Sequence, residues 1–246
     1  MDQDRVALVT GGTRGIGAAI VAALAADGIH VAAGYSSRKA DANDMAAKLA
    51  AEGHAVSLHQ GNVGKPEDCL RVVAEVLDQH DHIDYLINNA GITVDKTVRN
   101  MTVEDWHAVL RVNLSGAFYM TKAVLDHMIG RGFGRIVNIS SIIGETGSIG
   151  QANYAASKSG LFGLTKSLAL ETARKGITVN CVAPGFIDTE MVAAVPKEAL
   201  DRVLASIPMR RLGRPEEIAH AVRFLLQDDA GYITGSVISV NGGMEM

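Results

Sequence analysis

Residues 5–17 read Arg5-Val6-Ala7-Leu8-Val9-Thr10-Gly11-Gly12-Thr13-Arg14-Gly15-Ile16-Gly17. The first half is a short apolar run of the kind a fully buried strand requires. The second half is a glycine cluster that leads into the helical pattern of residues 15–27. Glycine lets the backbone turn sharply and lets a ligand come close to a helix N-terminus. There the unpaired N–H groups and the helix dipole favour an anion such as a pyrophosphate. A tight strand-to-helix turn also wants glycine for purely local reasons, so it is the cluster's place between the first strand and the first helix that points to a nucleotide.

Outward from this stretch the same alternation continues. Apolar, β-branched runs occur at 5–10, 30–34, 55–60, 83–88, 135–141, 177–183 and Val237–Val240. Helical patterns fill 15–27, 41–52, 66–79, 103–128, 152–175 and Pro215–Leu226. Strands that are apolar on both faces, each followed by a helix, predict an α/β fold. The expected form is a single Rossmann-type, doubly wound parallel sheet of about seven strands with right-handed crossovers and helices on both faces. No repeat, low-complexity tract or linker divides the chain, so one domain over 1–246 is expected. The long irregular stretch after Pro184, at about 186–208, follows the carboxyl end of a strand, where ligands bind in such sheets. It reads as a substrate lid.

The composition sets outer limits. The 246 residues are 48% hydrophobic and 20% charged, which suits a folded domain with a sizeable core, and the net charge of −4 speaks against nucleic acid as the main partner. No apolar run reaches the roughly 18 residues of a membrane span, and the N-terminus has no signal-like pattern, so a cytoplasmic protein is expected. Cys69 and Cys181 read as two buried thiols rather than a disulfide. His80 and His82 are too poorly spaced for a metal motif and read as solvated loop histidines; no metal is expected.

Cofactor choice is read at the end of the second strand, Gly34-Tyr35-Ser36-Ser37-Arg38. A site for NAD wants a carboxylate there for the ribose 2′-hydroxyl, and no acid occurs before Asp41. Hydroxyls and Arg38 stand in its place, with Arg14 in the glycine loop. Arginine suits a 2′-phosphate because its fork donates paired hydrogen bonds and its charge is permanent. NADP(H) is therefore expected, the bland alternative being that Arg38 only solvates a loop.

Tyr154-Ala155-Ala156-Ser157-Lys158 carries the catalytic signal. The i,i+4 spacing puts Tyr154 and Lys158 on one helix face. A free phenol titrates near pKa ~10, and a lysine cation beside it, with an oxidised nicotinamide, would stabilise phenolate. Ser141, thirteen residues before Tyr154, ends the fifth strand and can donate to a substrate carbonyl. Ser140 is its adjacent competitor.

The glycine spacing TGxxxGxG, with Asn88-Asn89-Ala90-Gly91 and the Tyr154/Lys158 pair, resembles the short-chain dehydrogenase/reductase family over nearly the whole chain. That resemblance implies an NADP-dependent oxidoreductase with a catalytic tetrad of Asn113, Ser141, Tyr154 and Lys158. Asn113 would hold a water that links Lys158 to solvent. Cofactor contacts would come from the loop residues Gly11, Gly12, Thr13, Arg14, Gly15, Ile16 and Gly17, and from Ser36, Ser37 and Arg38. Asn62 and Val63 would flank the adenine, and Asn89, Ala90 and Gly91 the ribose and nicotinamide. Pro184, Gly185, Ile187 and Thr189 would hold the carboxamide. Many members carry Asp where this chain has Asn62.

Within the family, Gly150-Gln151-Ala152-Asn153-Tyr154, Thr189-Glu190-Met191 and the ending Val240-Asn241-Gly242-Gly243 resemble the branch that reduces 3-oxoacyl thioesters on CoA or acyl carrier protein. Residues 131–141 lean slightly to the acetoacetyl-CoA side. Fatty-acid and polyhydroxyalkanoate synthesis both contain that step. The resemblance implies that Asp95, Gln151 and Phe186, with Ser141, line the substrate pocket. Arg131, Arg174 and Lys175 could meet CoA phosphates or an acidic carrier, or be ordinary helix-end charges. Reduction of another ketone, such as a sugar or steroid, is the alternative. A non-enzymatic NADP-binding sensor should have lost Tyr154 or Lys158. Small residues on the Tyr154 helix (Ala155, Ala156, Ser159, Gly160, Gly163) imply, by the same resemblance, a homotetramer; the alternative is packing within one subunit.

Overall fold

The structure, a computed structural model, describes residues 4–193 and 197–245. Seven strands form one parallel sheet: β1 (Val6–Val9), β2 (His30–Tyr35), β3 (Val56–Gln60), β4 (Tyr85–Asn88), β5 (Gly134–Ile139), β6 (Ile177–Pro184) and β7 (Val237–Val240). Their order in the sheet is β3-β2-β1-β4-β5-β6-β7. The chain runs outward from β1 through β2 to β3, then returns to place β4 on the other side of β1. The carboxyl ends of β1 and β4 therefore flank the topological switch point, where a crevice must open.

Helices cover both faces. On one side α1 (Gly15–Ala26) lies against the sheet beside the helix Pro215–Leu226, over a core that includes Ile20, Leu24, Ile87, Val182, Ile218 and Val222. On the other, α3 (Pro66–His80), a helix at Gly116–Arg131 and another at Ala152–Thr172 pack over Leu8, Val72, Leu86, Met120, Val124 and Ile136. β1, β4, β5 and β6 are buried at every residue, the polar Asn88, Arg135, Asn138, Thr178 and Asn180 included. α2 (Lys39–Ala51) buries only Ala42 and Leu49 and is the more polar helix.

Three details depart from the sequence expectations. Residues 103–128 form two helices, α4 (Val103–Leu110) and α5 (Gly116–Arg131), joined by a wide π turn at Arg111–Ser115. The inserted turn is invisible to a 3.6-residue period, and it carries Asn113. The predicted lid is partly helical: α8 (Glu190–Ala193) and α9 (Lys197–Ser206) follow the short α6 (Ile143–Thr146) and the long α7 (Ala152–Thr172) in chain order, and α10 is Pro215–Leu226. Residues 194–196 of that predicted lid lie outside the described residues. His80 and His82 are not simply solvated: His82 Nε2 lies 3.2 Å from the buried Asp84 carboxylate, and His80 stacks on His30.

Cys69 and Cys181 are both free and buried. Arg131, Arg174 and Lys175 precede β5 and β6, at the amino ends of the strands. Arg131 pairs there with Asp84 at 3.6 Å. Along α7 and its 3-10 extension Arg174 is about 30 Å from Tyr154 at 1.5 Å per residue. Within one chain these charges lie at the opposite end of the strands from the crevice.

Candidate active site

A cavity of about 610 Å³ opens over the carboxyl ends of the strands, from the glycine loop to α7 and the segment after β6. One end of it begins at the glycine loop. Gly11 and Gly15 have φ of +60° and +52°, which L side chains rarely adopt. A Cβ on Gly17 would sit 2.1 Å from the Gly11 carbonyl oxygen, so only glycine closes the turn. The first turn of α1 has no side-chain cap and no acid. It is left for an outside anion.

The loop is fixed from β4. The Asn89 amide donates to the carbonyls of Thr10 and Gly11 at 3.0 and 2.9 Å, while Thr10 Oγ1 accepts from the backbone N–H groups of Asn89 and Ala90 at 3.0 and 3.1 Å. Asn89 thus spends its side chain on shaping the loop. Thr10, the first residue of the TGxxxGxG spacing, is the hub of the stitch. Gly12 does not line the cavity; it faces Val9 and Val21 and allows that packing.

Thr13, Arg14, Ile16, Ser36, Ser37, Arg38, Asn62 and Val63 all line the cavity. Asn62 Oδ1 already accepts from Gly64 N at 2.9 Å, which leaves one lone pair for an adenine amino group. Asp68, a residue not singled out beforehand, also lines the cavity. It accepts from Asn62 N at 2.8 Å and is held below the usual carboxylate range by that bond. The sequence contains no acid between Tyr35 and Asp41, yet folding supplies one from far away. Glu190 Oε2 lies 3.4 Å from Arg14 and 3.2 Å from Arg38.

At the other end Tyr154 and Lys158 enter from α7, one turn apart. Ser141 Oγ accepts from Ile143 N at 3.2 Å, and Ser141 stands near enough to the Tyr154 phenol to work toward lowering its pKa. The competitor Ser140 donates to the Lys158 carbonyl at 2.8 Å, so its proton is committed to the helix backbone. Lys158 is buried, and its Nζ donates to the Ile139 carbonyl at 2.8 Å. Burial holds its ammonium down to about 8. Burial also raises the Tyr154 phenol above its ordinary value, against the lowering by Ser141. The protein alone therefore does not depress the phenol.

Asn113 does not line the cavity; it lies beneath it, 2% exposed. Its Oδ1 accepts from Ile92 N at 2.8 Å, and its Nδ2 donates to Ile92 O at 3.0 Å and to Ser157 Oγ at 3.1 Å. Both amide donors are occupied, and Ser157, the unassigned serine of the Tyr154 motif, is one of the partners. Gly91 lies between the two polar groups: a Cβ there would be 3.5 Å from both Asn113 Oδ1 and Lys158 Nζ.

Ala90, Gly91, Pro184, Gly185, Ile187 and Thr189 line the same end. Gly185 N donates to Val240 O at 3.0 Å, and Gly213 N to Phe186 O at 2.9 Å, so this segment is pinned by backbone bonds. At the mouth Gln151 donates to Asp95 at 3.1 Å, with Phe186 also facing the cavity. The whole arrangement fits a nicotinamide dinucleotide. It offers an anion site at α1, an arginine pair at one end and a phenol, hydroxyl and buried amine at the other. The described residues contain no group of three or more potential metal ligands, and none of their helices is long and apolar enough to cross a membrane.

Comparison with known proteins gives the same picture. Residues 11–245 match the family model described as enoyl-(acyl carrier protein) reductase. Acetoacetyl-CoA reductase of Shinella zoogloeoides is 52% identical over 240 residues, covering 97% of this chain and 98% of that protein. The acetoacetyl-CoA reductase of Cupriavidus necator is 45% identical, with 98% of each chain covered. The 3-oxoacyl-[acyl-carrier-protein] reductase FabG of Aquifex aeolicus is 47% identical, again with 98% of each covered.

Proposed function

Because the chain belongs to the short-chain dehydrogenase/reductase family, a family of nicotinamide-dependent oxidoreductases, we propose that it reduces a 3-oxoacyl thioester to the 3-hydroxyacyl thioester with NADPH. The observation that carries the chemistry is the Ser141–Tyr154–Lys158 cluster at one end of a dinucleotide-sized cavity. Relatives at 45–52% identity over almost the full chain, named as reductases of acetoacetyl-CoA or 3-oxoacyl carrier protein, support the substrate class.

The bound cofactor supplies hydride. Ser141 donates a hydrogen bond to the ketone oxygen and orients it. Tyr154 gives its phenolic proton to the oxygen as negative charge develops there. The raised phenol suits that direction, since it keeps the proton on through neutral pH. Lys158 supplies positive charge and binds the nicotinamide ribose. Asn113 fixes residues 91–92 beside it, and its remaining Oδ1 lone pair accepts from a water that returns the proton to Lys158. Asp95, Gln151 and Phe186 bound the acyl pocket, and the thioester arm passes out along 186–208. Arg14 and Arg38, with Ser36 and Ser37, hold the 2′-phosphate. Asn62 and Val63 flank the adenine, and Pro184, Gly185, Ile187 and Thr189 hold the carboxamide.

The chain acts as one nucleotide-binding domain and assembles as a homotetramer. Gly160 already packs within the subunit, where a Cβ would meet Leu114 at 2.7 Å, but Gly163 faces open space on the same helix. Phe118 on α5 and Leu170 on α7 are also exposed. The test is product analysis with acetoacetyl-CoA and a 3-oxoacyl carrier protein, each with NADPH. Formation of a 3-hydroxyacyl thioester from either supports the proposal. Background turnover of both refutes the substrate class.

A further inference from the structure

Arg14 and Arg38 come from separate elements, the glycine loop and the turn after β2, and their guanidinium groups converge on one oxygen, Glu190 Oε2. Glu190 opens α8, 152 residues beyond Arg38 in the chain. It is set there by its neighbour Thr189, whose methyl group lies 3.4 Å from where a Cβ on Gly15 would stand. Arg38 also has Asp41 Oδ2 at 3.5 Å. Two guanidinium charges thus meet two carboxylates, and the cluster is balanced before any ligand arrives. Arg14, Arg38 and Glu190 all line the cavity, beside Ser36 and Ser37.

We propose that Glu190 is an internal competitor for the cofactor's 2′-phosphate, occupying the point between Arg14 and Arg38 that the phosphate must take. The inference rests on the NADPH assignment above. A phosphate monoester carries about −1.5 to −2 charges at neutral pH, so it cannot share the arginine pair with a carboxylate without like-charge repulsion. It must displace Glu190. NADH, with only a 2′-hydroxyl, leaves the Arg–Glu bridge in place. Glu190 therefore lowers the affinity for the phosphorylated cofactor alone, and the selectivity of the site is the arginine attraction reduced by this competition. All three side chains are about half exposed or more, so the bridge contributes little to folding and its removal is tolerated.

The test is the dissociation constants of NADPH and NADH, from cofactor fluorescence, for the wild type and for Glu190→Gln, with 2′,5′-ADP and 5′-AMP titrated by calorimetry. Glu190→Gln is expected to bind NADPH and 2′,5′-ADP about 3- to 10-fold more tightly, with NADH and 5′-AMP unchanged. If the wild type prefers NADPH but the substitution leaves the NADPH/NADH ratio unchanged, or weakens NADPH, the competitor role is overturned and the cofactor assignment stands. If the wild type binds both cofactors equally, the assignment itself fails and takes the competitor role with it.

Discussion

Lys158 Nζ lies 5.6 Å from the centre of the Tyr154 ring, and its hydrogen bond goes to the Ile139 carbonyl at 2.8 Å. Burial favours the neutral form of both groups: the amine is held down to about 8 and the phenol is raised. A charged ammonium at neutral pH is therefore maintained at a cost to folding, in the place where catalysis needs it.

Replacing Lys158 by Met should abolish turnover yet raise the melting temperature at pH 7. The fall from 10.5 to about 8 corresponds to roughly 3 kcal/mol of unfavourable burial, offset by about 1 kcal/mol for the Ile139 bond lost. That gives an increase of several degrees for a chain of this size. The pH dependence follows from the direction of the shift. Below pH 8 both folded and unfolded lysine are protonated and the penalty is complete. Between 8 and 10.5 the unfolded chain binds more protons, so wild-type stability rises with pH and the gap to the variant narrows. A variant that melts below the wild type at pH 7 would show that the ammonium is not strained.

Tyr154→Phe removes the proton donor and little else. Turnover should fall by about 10²–10⁴-fold with cofactor affinity unchanged, measured by steady-state kinetics and fluorescence titration. Activity within a few-fold of wild type would remove the phenol from the mechanism.

Gly17→Ala should fold poorly or lose cofactor binding by well over tenfold, because the added carbon would overlap the Gly11 carbonyl at 2.1 Å. Gly163→Ala on α7 is the control, with nothing within 4 Å of its added carbon in the single chain. Thermal melts with and without NADPH separate folding from binding.

Asn113→Leu deletes the pair of bonds to Ile92 and the bond to Ser157 in a buried place, for a destabilisation of about 2–4 kcal/mol. If Asn113 also serves proton return to Lys158, kcat should fall more than cofactor affinity, and the solvent isotope effect on kcat should change. A loss of stability with unaltered kcat would make Asn113 purely structural.

The sheet was legible because its strands are apolar on both faces and the glycine cluster sits at the first crossover. The pairing of Tyr154 with Lys158 was legible because the two lie on one helix. Local patterns carry no information on long-range partners, however. The π turn under Asn113 breaks no hydrophobic period. Thr10 is an ordinary strand-end threonine until Asn89 and Ala90 fold onto it. Glu190 is far in sequence from the arginines it bridges, so the absence of an acid after β2 was true of the sequence and not of the site. The parallel order also puts Arg131, Arg174 and Lys175 at the opposite end of the strands from their own chain's crevice, a placement that helix patterns alone do not give.

The most direct measurement is kcat/KM for acetoacetyl-CoA reduction, followed by loss of reduced-nicotinamide absorbance, with NADPH and NADH in parallel. Rapid turnover is expected with NADPH and at least about tenfold less with NADH, the difference lying in cofactor binding. Turnover favouring NADH would contradict the role of Arg14 and Arg38. No turnover with either cofactor, in protein that binds NADPH, would contradict the assignment of the substrate.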